Sequence, residues 1–411
     1  MHSNTIQLTR IVSTISLTAG LMLSAGNVMA QQYYLPATTA SPLTDVFYKA
    51  PTAAQLSGKA PGDVLRYRTV MAKDYSAEVS KSYQLMYVTT DTNGKSVGAI
   101  TTVLIPKNVP AIGRQILSYQ SFYDSLTQTC TPSYLTAQGK LFEASNVKPA
   151  LKKGVVVVMS DYEGLGNQWM AGLNTAHGVL DGVRAAINFR SAGLNDGAKV
   201  ALAGFSGGGH ATGWAAEVAP EYAPELNIVG AAMGGVPVNL GNVARKVDGG
   251  LFSGVYFGAV VGLARAYPQI EAEKYFTTAG NAMVKDMGNR CLLGMFQGQS
   301  EMLTKYAFQK GSKYFKDLDF LKLPEIAAII DENSLGSRTP NTPLYVYEGT
   351  NDEIMPITDV DNLVASYCSR GLTVQYNRTA GEHLLMALGS AAPVNWALDR
   401  LDGKAAPNNC K

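Results

Sequence analysis

Gly204-Phe205-Ser206-Gly207-Gly208 narrows the possible folds of this chain more than any other stretch. Before it stands the apolar run Val200-Ala201-Leu202-Ala203, and after it His210 to Glu217 read as a helix. A serine on a sharp strand-to-helix turn needs positive φ, so its neighbours must be small enough for the chain to bend. The helix beyond would aim free N–H groups and the positive end of its dipole at the space above Ser206, where an oxyanion would form. The bare G-x-S-x-G pattern also occurs in ordinary turns. Its place between strand and helix is what points to a nucleophile elbow.

The rest of the chain supplies a sheet for that elbow. Val64 to Val70 alternates like a half-exposed strand. Tyr83–Thr89 and Val97–Ile105 are two more strands, and Asp91-Thr92-Asn93-Gly94 between them contains the Asn-Gly hairpin signal. Gln115–Tyr119, Val155–Met159, Val200–Ala203, Ile228–Ala232, Leu344–Tyr347 and Leu372–Tyr376 read as buried, parallel-type strands. Helical patterns lie between them, most clearly Gly178–Phe189. This order predicts an α/β class chain with an α/β-hydrolase fold: a mostly parallel central sheet, an antiparallel N-terminal hairpin and a large inserted helical cap or lid. The first part of the core is expected at 31–238, the cap at 239–333, where no strand candidate appears, and the second part of the core at 334–411. Residues 31 to about 60, rich in Pro, Ala and Thr, are expected to lie on the surface as an arm.

The first thirty residues read as something other than fold. Arg10 closes a mildly basic start, Ile11–Ala25 is apolar, and Val28-Met29-Ala30 offers small residues for cleavage, so 1–30 is expected to be a secretory signal. A membrane anchor is the rival reading, but the apolar run is short and interrupted by Ser and Thr. The chain is thus expected to be secreted, either extracellular or periplasmic in a Gram-negative host. A net charge of +2 with 16% charged residues, and no Lys/Arg block, argues against nucleic acid or an anionic membrane surface as partner. Stable membrane insertion is not expected either.

An exported chain would oxidise its four cysteines, and none has C-x-x-C spacing that would suggest zinc. Three pairings are open. Cys130–Cys291 with Cys368–Cys410 is preferred, because the second bridge would tie the extreme C-terminus to the last third of the fold. No metal-ligand spacing, dinucleotide fingerprint or P-loop is present, so no metal and no cofactor is implied. Asn377-Arg378-Thr379 is a glycosylation sequon, meaningful only in a eukaryotic secretory host.

A serine hydroxyl needs a base within hydrogen-bond reach and a third group to orient that base. Of four histidines, His2 leaves with the signal. His210 sits four residues past Ser206, and His177, read as opening the helix at Gly178, precedes the elbow; capping or packing suits it better. His383, in the loop after the last strand, has the right order and place for the base. Asp352, in the loop after Leu344–Tyr347, is the expected acid, with Glu353 as runner-up and Glu348 expected to end the strand in a structural hydrogen bond. For the oxyanion, Gly207 supplies one backbone N–H and Asp124, on the loop after Gln115–Tyr119, is the candidate second donor through its backbone, with help from its carboxyl; a surface helix N-cap is the equal alternative for Asp124. The common lipase signature of consecutive glycines is missing from that loop. Asp161-Tyr162-Glu163-Gly164-Leu165-Gly166 is assigned structural support near the carboxyl edge of the sheet.

With these residues in place, the chain resembles the secretory lipase family of fungi and bacteria. The resemblance runs through Asp45-Val46-Phe47-Tyr48, Pro61 to Arg66, Asp161 to Gly164, the elbow, Tyr222 to Asn227, Gly349-Thr350-Asn351-Asp352 and Gly381-Glu382-His383. It implies an α/β hydrolase with a helical cap, Ser206 as nucleophile, Asp352 as acid, His383 as base and Asp124 in the oxyanion loop. It also implies the disulfides Cys130–Cys291 and Cys368–Cys410. Gly209-His210 has no clear place in the family pattern. The function implied is a secreted serine hydrolase of lipid carboxylic esters (a lipase or carboxylesterase), with contact to a lipid–water interface through the cap. Two other classes stay open: a serine peptidase or amidase on the same fold, and a non-catalytic hydrolase-fold binding protein.

Overall fold

The computed structural model describes residues 33–36, 40–107, 110, 113–293, 302–387 and 391–410; the expected export signal lies outside them. Ten strands of the described residues form one sheet. They are β1 (Tyr33–Tyr34), β2 (Val64–Thr69), β3 (Val79–Thr90), β4 (Ser96–Pro106) and β5 (Ile116–Gln120), followed by β6 (Val156–Ser160), β7 (Lys199–Phe205), β8 (Asn227–Gly234), β9 (Leu344–Gly349) and β10 (Val374–Thr379). Their spatial order is β1-β2-β3-β4-β6-β5-β7-β8-β9-β10. β2, β3, β4 and β6 pair antiparallel in turn, and every other neighbouring pair is parallel. The chain therefore has the α/β-hydrolase architecture expected.

The interior strands are apolar on both faces because helices cover both. On one face Val156, Val158, Val200 and Leu202 pack against Val179, Val183 and Trp214, from helices Gly172–Asn188 and Gly207–Tyr222. On the other, Val157, Met159, Ala201 and Ala203 meet Val147 and Leu151 of helix Ala144–Lys152 and Trp396 of helix Ala392–Leu401. Successive residues of one strand thus serve opposite layers. Each large aliphatic side chain so buried contributes about 1.5–3 kcal/mol.

Three local expectations change. Residues 31–60 do not merely lie on the surface: Phe47 is fully buried, and Asp45 pairs with buried Arg68 at 2.6 Å, so the segment is pinned by its own core contacts. The helix expected from Gly178 starts at Gly172, which puts His177 inside it rather than at its start. Its ring stacks on Tyr222 and its Nδ1 lies 2.9 Å from the Thr90 carbonyl, so it packs and does not cap. β10 begins at Val374, two residues past the expected start, because Gly371 turns at φ +81° and delays the strand.

Between β8 and β9, helices Leu240–Val247, Ser253–Ala266, Thr278–Met287, Met302–Tyr306 and Pro324–Glu332 dominate. They surround a separate aromatic core that includes Phe257, Phe276, Tyr306, Tyr314, Phe315 and Phe320. Helix Ser253–Ala266 meets Trp169 through a stripe of small residues. A Cβ on Gly258 would fall 1.9 Å from the indole, and one on Gly262 2.5 Å from the Trp169 carbonyl. The cysteines pair as Cys130–Cys291 and Cys368–Cys410, with Cα atoms 5.6 and 5.5 Å apart.

Candidate active site

Ser206 sits where β7 turns into helix Gly207–Tyr222, with φ +56° and ψ −122°. A non-glycine residue holds that conformation only when its surroundings fix it. Its N–H donates to the Gly234 carbonyl at 2.9 Å, and its own carbonyl accepts the His210 N–H at 2.9 Å. The glycines let neighbouring backbone close in. A Cβ on Gly208 would lie 1.8 Å from the Gln120 carbonyl oxygen, and one on Gly209 2.4 Å from that of Gly234. Gly209, which had no place in the family pattern, is thus part of the elbow's packing.

His383 opens the short helix His383–Ala387 beyond β10 and is buried. Its Nε2 lies 2.8 Å from Ser206 Oγ, and its Nδ1 lies 2.6 Å from Asp352 Oδ2. Asp352 stands three residues past β9, and its other oxygen accepts the N–H groups of Ile354 at 2.8 Å and Met355 at 2.6 Å. Burial works to raise the Asp352 carboxyl. The hydrogen bond and charge of His383, with help from Glu348 and the Met355 N–H, overcome it and hold the group below its ordinary value. Glu353 does not touch the imidazole. Its carboxylate accepts the His383 backbone N–H at 2.6 Å and so fixes the residue's backbone instead.

The remaining candidates separate cleanly. His210 is buried away from Ser206 Oγ, 3.4 Å from the Asn333 carbonyl, and burial pulls its imidazole down to about 4. Glu348 accepts the Val236 N–H at 3.1 Å, as a strand-ending carboxylate should. Gly207 carries the first N–H of its helix, one of the groups a helix leaves unpaired. Asp124 is buried, has φ +41° and presses its carboxyl on Gly207, where a Cβ would fall 1.8 Å from Oδ1. Burial pushes that carboxyl up to about 7.

Sequence reasoning missed what holds the Asp124 loop. Glu143, on the far side of Cys130, accepts Tyr119 Oη at 2.7 Å, Ser121 Oγ at 2.6 Å and the Phe122 N–H at 2.8 Å. Glu163 accepts the Ser125 N–H at 3.2 Å while its own N–H donates to Tyr123 Oη at 2.7 Å, and Asp161 takes both the N–H and the hydroxyl of Ser133. The support assigned to 161–166 is therefore physical. Glu143 gave no signal, being a lone acid in a loop.

Ser206, Gly207, Asp124 and His383 share one apolar cleft with the helical segment. Leu240, Val243, Ala259, Leu263, Phe320 and Ile330 wall it. A reactive-looking serine thus faces a long apolar space, and no group of His, Cys, Asp and Glu able to hold a metal ion occurs among the described residues. The secretory lipase family model matches residues 131–409. The chain belongs to the secretory lipase family.

Lipase A of Arthroderma benhamiae is 32% identical to it, covering 98% of this chain and 89% of its own length. Lipase 6 of Candida albicans is also 32% identical, over 90% of this chain and 83% of its own. The X-ray structure of Candida antarctica lipase A superposes with a TM-score of 0.84 at 30% identity, covering 91% of this chain and 89% of that one. Membership in the secretory lipase family makes this chain a carboxylic ester hydrolase that acts on lipid esters. No helix of the described residues is long and apolar enough to cross a membrane.

Proposed function

We propose that this lipase is secreted and cleaves acylglycerol-type esters through Ser206, His383 and Asp352 by way of an acyl-enzyme. The observation that carries this reading is the continuous chain of contacts from Ser206 Oγ to His383 Nε2 at 2.8 Å and from His383 Nδ1 to Asp352 Oδ2 at 2.6 Å. It opens onto a cleft walled by apolar side chains, the surface an acyl chain would need. In this reading Asp352 accepts the Nδ1–H and leaves Nε2 free to take the serine proton as Oγ attacks the ester carbonyl. The oxygen that becomes negative is met by the N–H groups of Gly207 and Asp124. A carboxyl held up near neutrality at Asp124 also keeps a second full negative charge away from that oxygen. The imidazolium then protonates the departing alcohol, and water repeats the steps to release the acid.

The helical segment 239–333 acts as a cap on the two core parts 31–238 and 334–411, lines the acyl site, and meets the lipid–water interface as a lid. Residues 1–30 direct export and are removed. The test uses purified enzyme and p-nitrophenyl esters. Ser206→Ala should lower kcat by ~10⁴-fold or more and abolish labelling by a fluorophosphonate. Retained turnover, or labelling at another residue, would sink the assignment.

A further inference from the structure

Glu348, next to last in β9, has no exposed surface, yet none of the steps above uses it. Its Oε2 accepts the Val236 N–H at 3.1 Å and its Oε1 the Gly349 N–H at 3.3 Å, while its carboxyl is also in hydrogen-bond contact with that of Asp352. Val236 follows Gly235, whose backbone lies under the catalytic imidazole: a Cβ there would fall 2.9 Å from His383 Cε1. The side chain therefore joins the loop beneath the imidazole to the acid that orients it.

Two carboxyl groups in contact and shielded from water cannot both ionise. The surroundings decide which keeps the proton. Asp352 has the imidazole and two N–H donors on its oxygens, and the Lys246 ammonium donates to its backbone carbonyl at 2.7 Å. Glu348 has two backbone N–H donors. Tyr347 flanks it on β9, and Tyr376 approaches from β10 with its hydroxyl bonded to Asp361. Arg378 stands opposite it in the β9–β10 register but lies half-exposed, with its guanidinium 3.6 Å from Asp361.

We propose that Glu348 is a positioning residue of this site: it stays protonated and donates that proton to Asp352, fixing the carboxylate that holds His383. Burial, then the charge of Asp352, pushes the Glu348 carboxyl up to about 9, in keeping with that role. The arrangement has a donor side and an acceptor side. A glutamine can keep the Val236 acceptor and offer its amide to Asp352, giving up only the longer contact from the Gly349 N–H at 3.3 Å; an ionised glutamate has no proton to offer. The inference rests on the triad reading above.

The experiment compares wild type, Glu348→Gln and Glu348→Leu by kcat and KM from pH 5 to 10, with Ser206→Ala as the blank. Glu348→Leu is expected to lower kcat at least tenfold with KM little changed. Glu348→Gln is expected to restore kcat to within a few-fold, to keep the acid-side midpoint of the profile, and to lose the decline that wild type shows around pH 9 as Glu348 ionises beside Asp352. An ionised Glu348 would instead favour the imidazolium, so its neutralisation in Glu348→Gln would move the acid-side midpoint down by about one unit. That shift, an unchanged decline near pH 9, or wild-type kcat in Glu348→Leu would overturn the proposal. Should the leucine variant fail to fold, the glutamine profile decides alone. An active Ser206→Ala would instead indict the triad, a separate failure.

Discussion

At the mouth of the cleft, the residues contributed by the sheet are fixed by backbone contacts, whereas those contributed by segment 239–333 are held by side-chain packing. Ser206 is tied through its N–H and carbonyl, and Gly208 lies too close to Gln120 for any side chain. Across the cleft, Leu240, Ala259 and Ile330 touch the same space from an aromatic cluster of short helices. Reaction geometry tolerates errors well under 1 Å, while an acyl chain asks only for apolar volume. The difference suggests that chemistry and chain selection can be perturbed separately.

The strongest challenge to that division is Gly208→Ala. A methyl 1.8 Å from the Gln120 carbonyl must push β5 and the elbow apart, so kcat should fall by about 10²-fold or more for every ester tried. Wild-type kcat on short and long esters in the variant would mean that the elbow is softer than its contacts imply. The next largest effect belongs to the bond that joins the two regions. Cys130 lies just past the Asp124 loop and Cys291 in the helical segment. The double variant Cys130→Ser/Cys291→Ser should lose about 2–5 kcal/mol of stability in denaturant unfolding, with the remaining folded enzyme still active on short esters. A coincident loss of short-ester kcat would show that the loop and segment are one mechanical unit.

This contrast also explains what was legible in the sequence. Ser206, Asp352 and His383 could be named because a strand-turn-helix and two strand-end loops are written in local pattern, and the structure brings the three into hydrogen-bond contact. The β3–β4 hairpin was equally clear, from Asn93-Gly94 between two strand-like runs. Contacts made at long range were not. Glu143 braces Tyr119, Ser121 and Phe122 from a loop whose sequence carries no mark of it. Phe47 and Asp45 looked like part of a loose arm because Pro, Ala and Thr around them hide one buried aromatic and one ion pair. The glycine stripe that seats helix Ser253–Ala266 on Trp169 was readable at i, i+4 spacing, but only as small residues, not as a partner.

A smaller and more selective effect should follow from filling the cleft. Ala259 projects into it from helix Ser253–Ala266 and is only partly buried, so a larger side chain has room to enter. Ala259→Phe should lower kcat/KM for p-nitrophenyl palmitate about tenfold or more and leave the acetate within about threefold. A uniform loss across the chain-length series would mean that the segment also shapes the reacting groups.

One side chain crosses the division, and it supplies the finest test. Lys246, on helix Leu240–Val247, donates to the carbonyls of Asp352 at 2.7 Å and Met355 at 2.8 Å. Those carbonyls belong to the turn whose N–H groups wrap the Asp352 carboxylate, so the ammonium closes the turn from outside. The lysine is exposed overall, and solvent competes for its protons. Lys246→Met should therefore lower kcat only about three- to tenfold, with Lys246→Arg recovering most of it. The same helix presents Leu240, Val243 and Ala244 to the cleft, so a chain bound there presses on the element that carries the lysine. If the division is strict, the methionine variant loses the same factor on acetate and palmitate. A loss confined to palmitate would show that the helical segment passes acyl-chain occupancy to the acid through this one contact, and the two regions would then have to be treated as coupled.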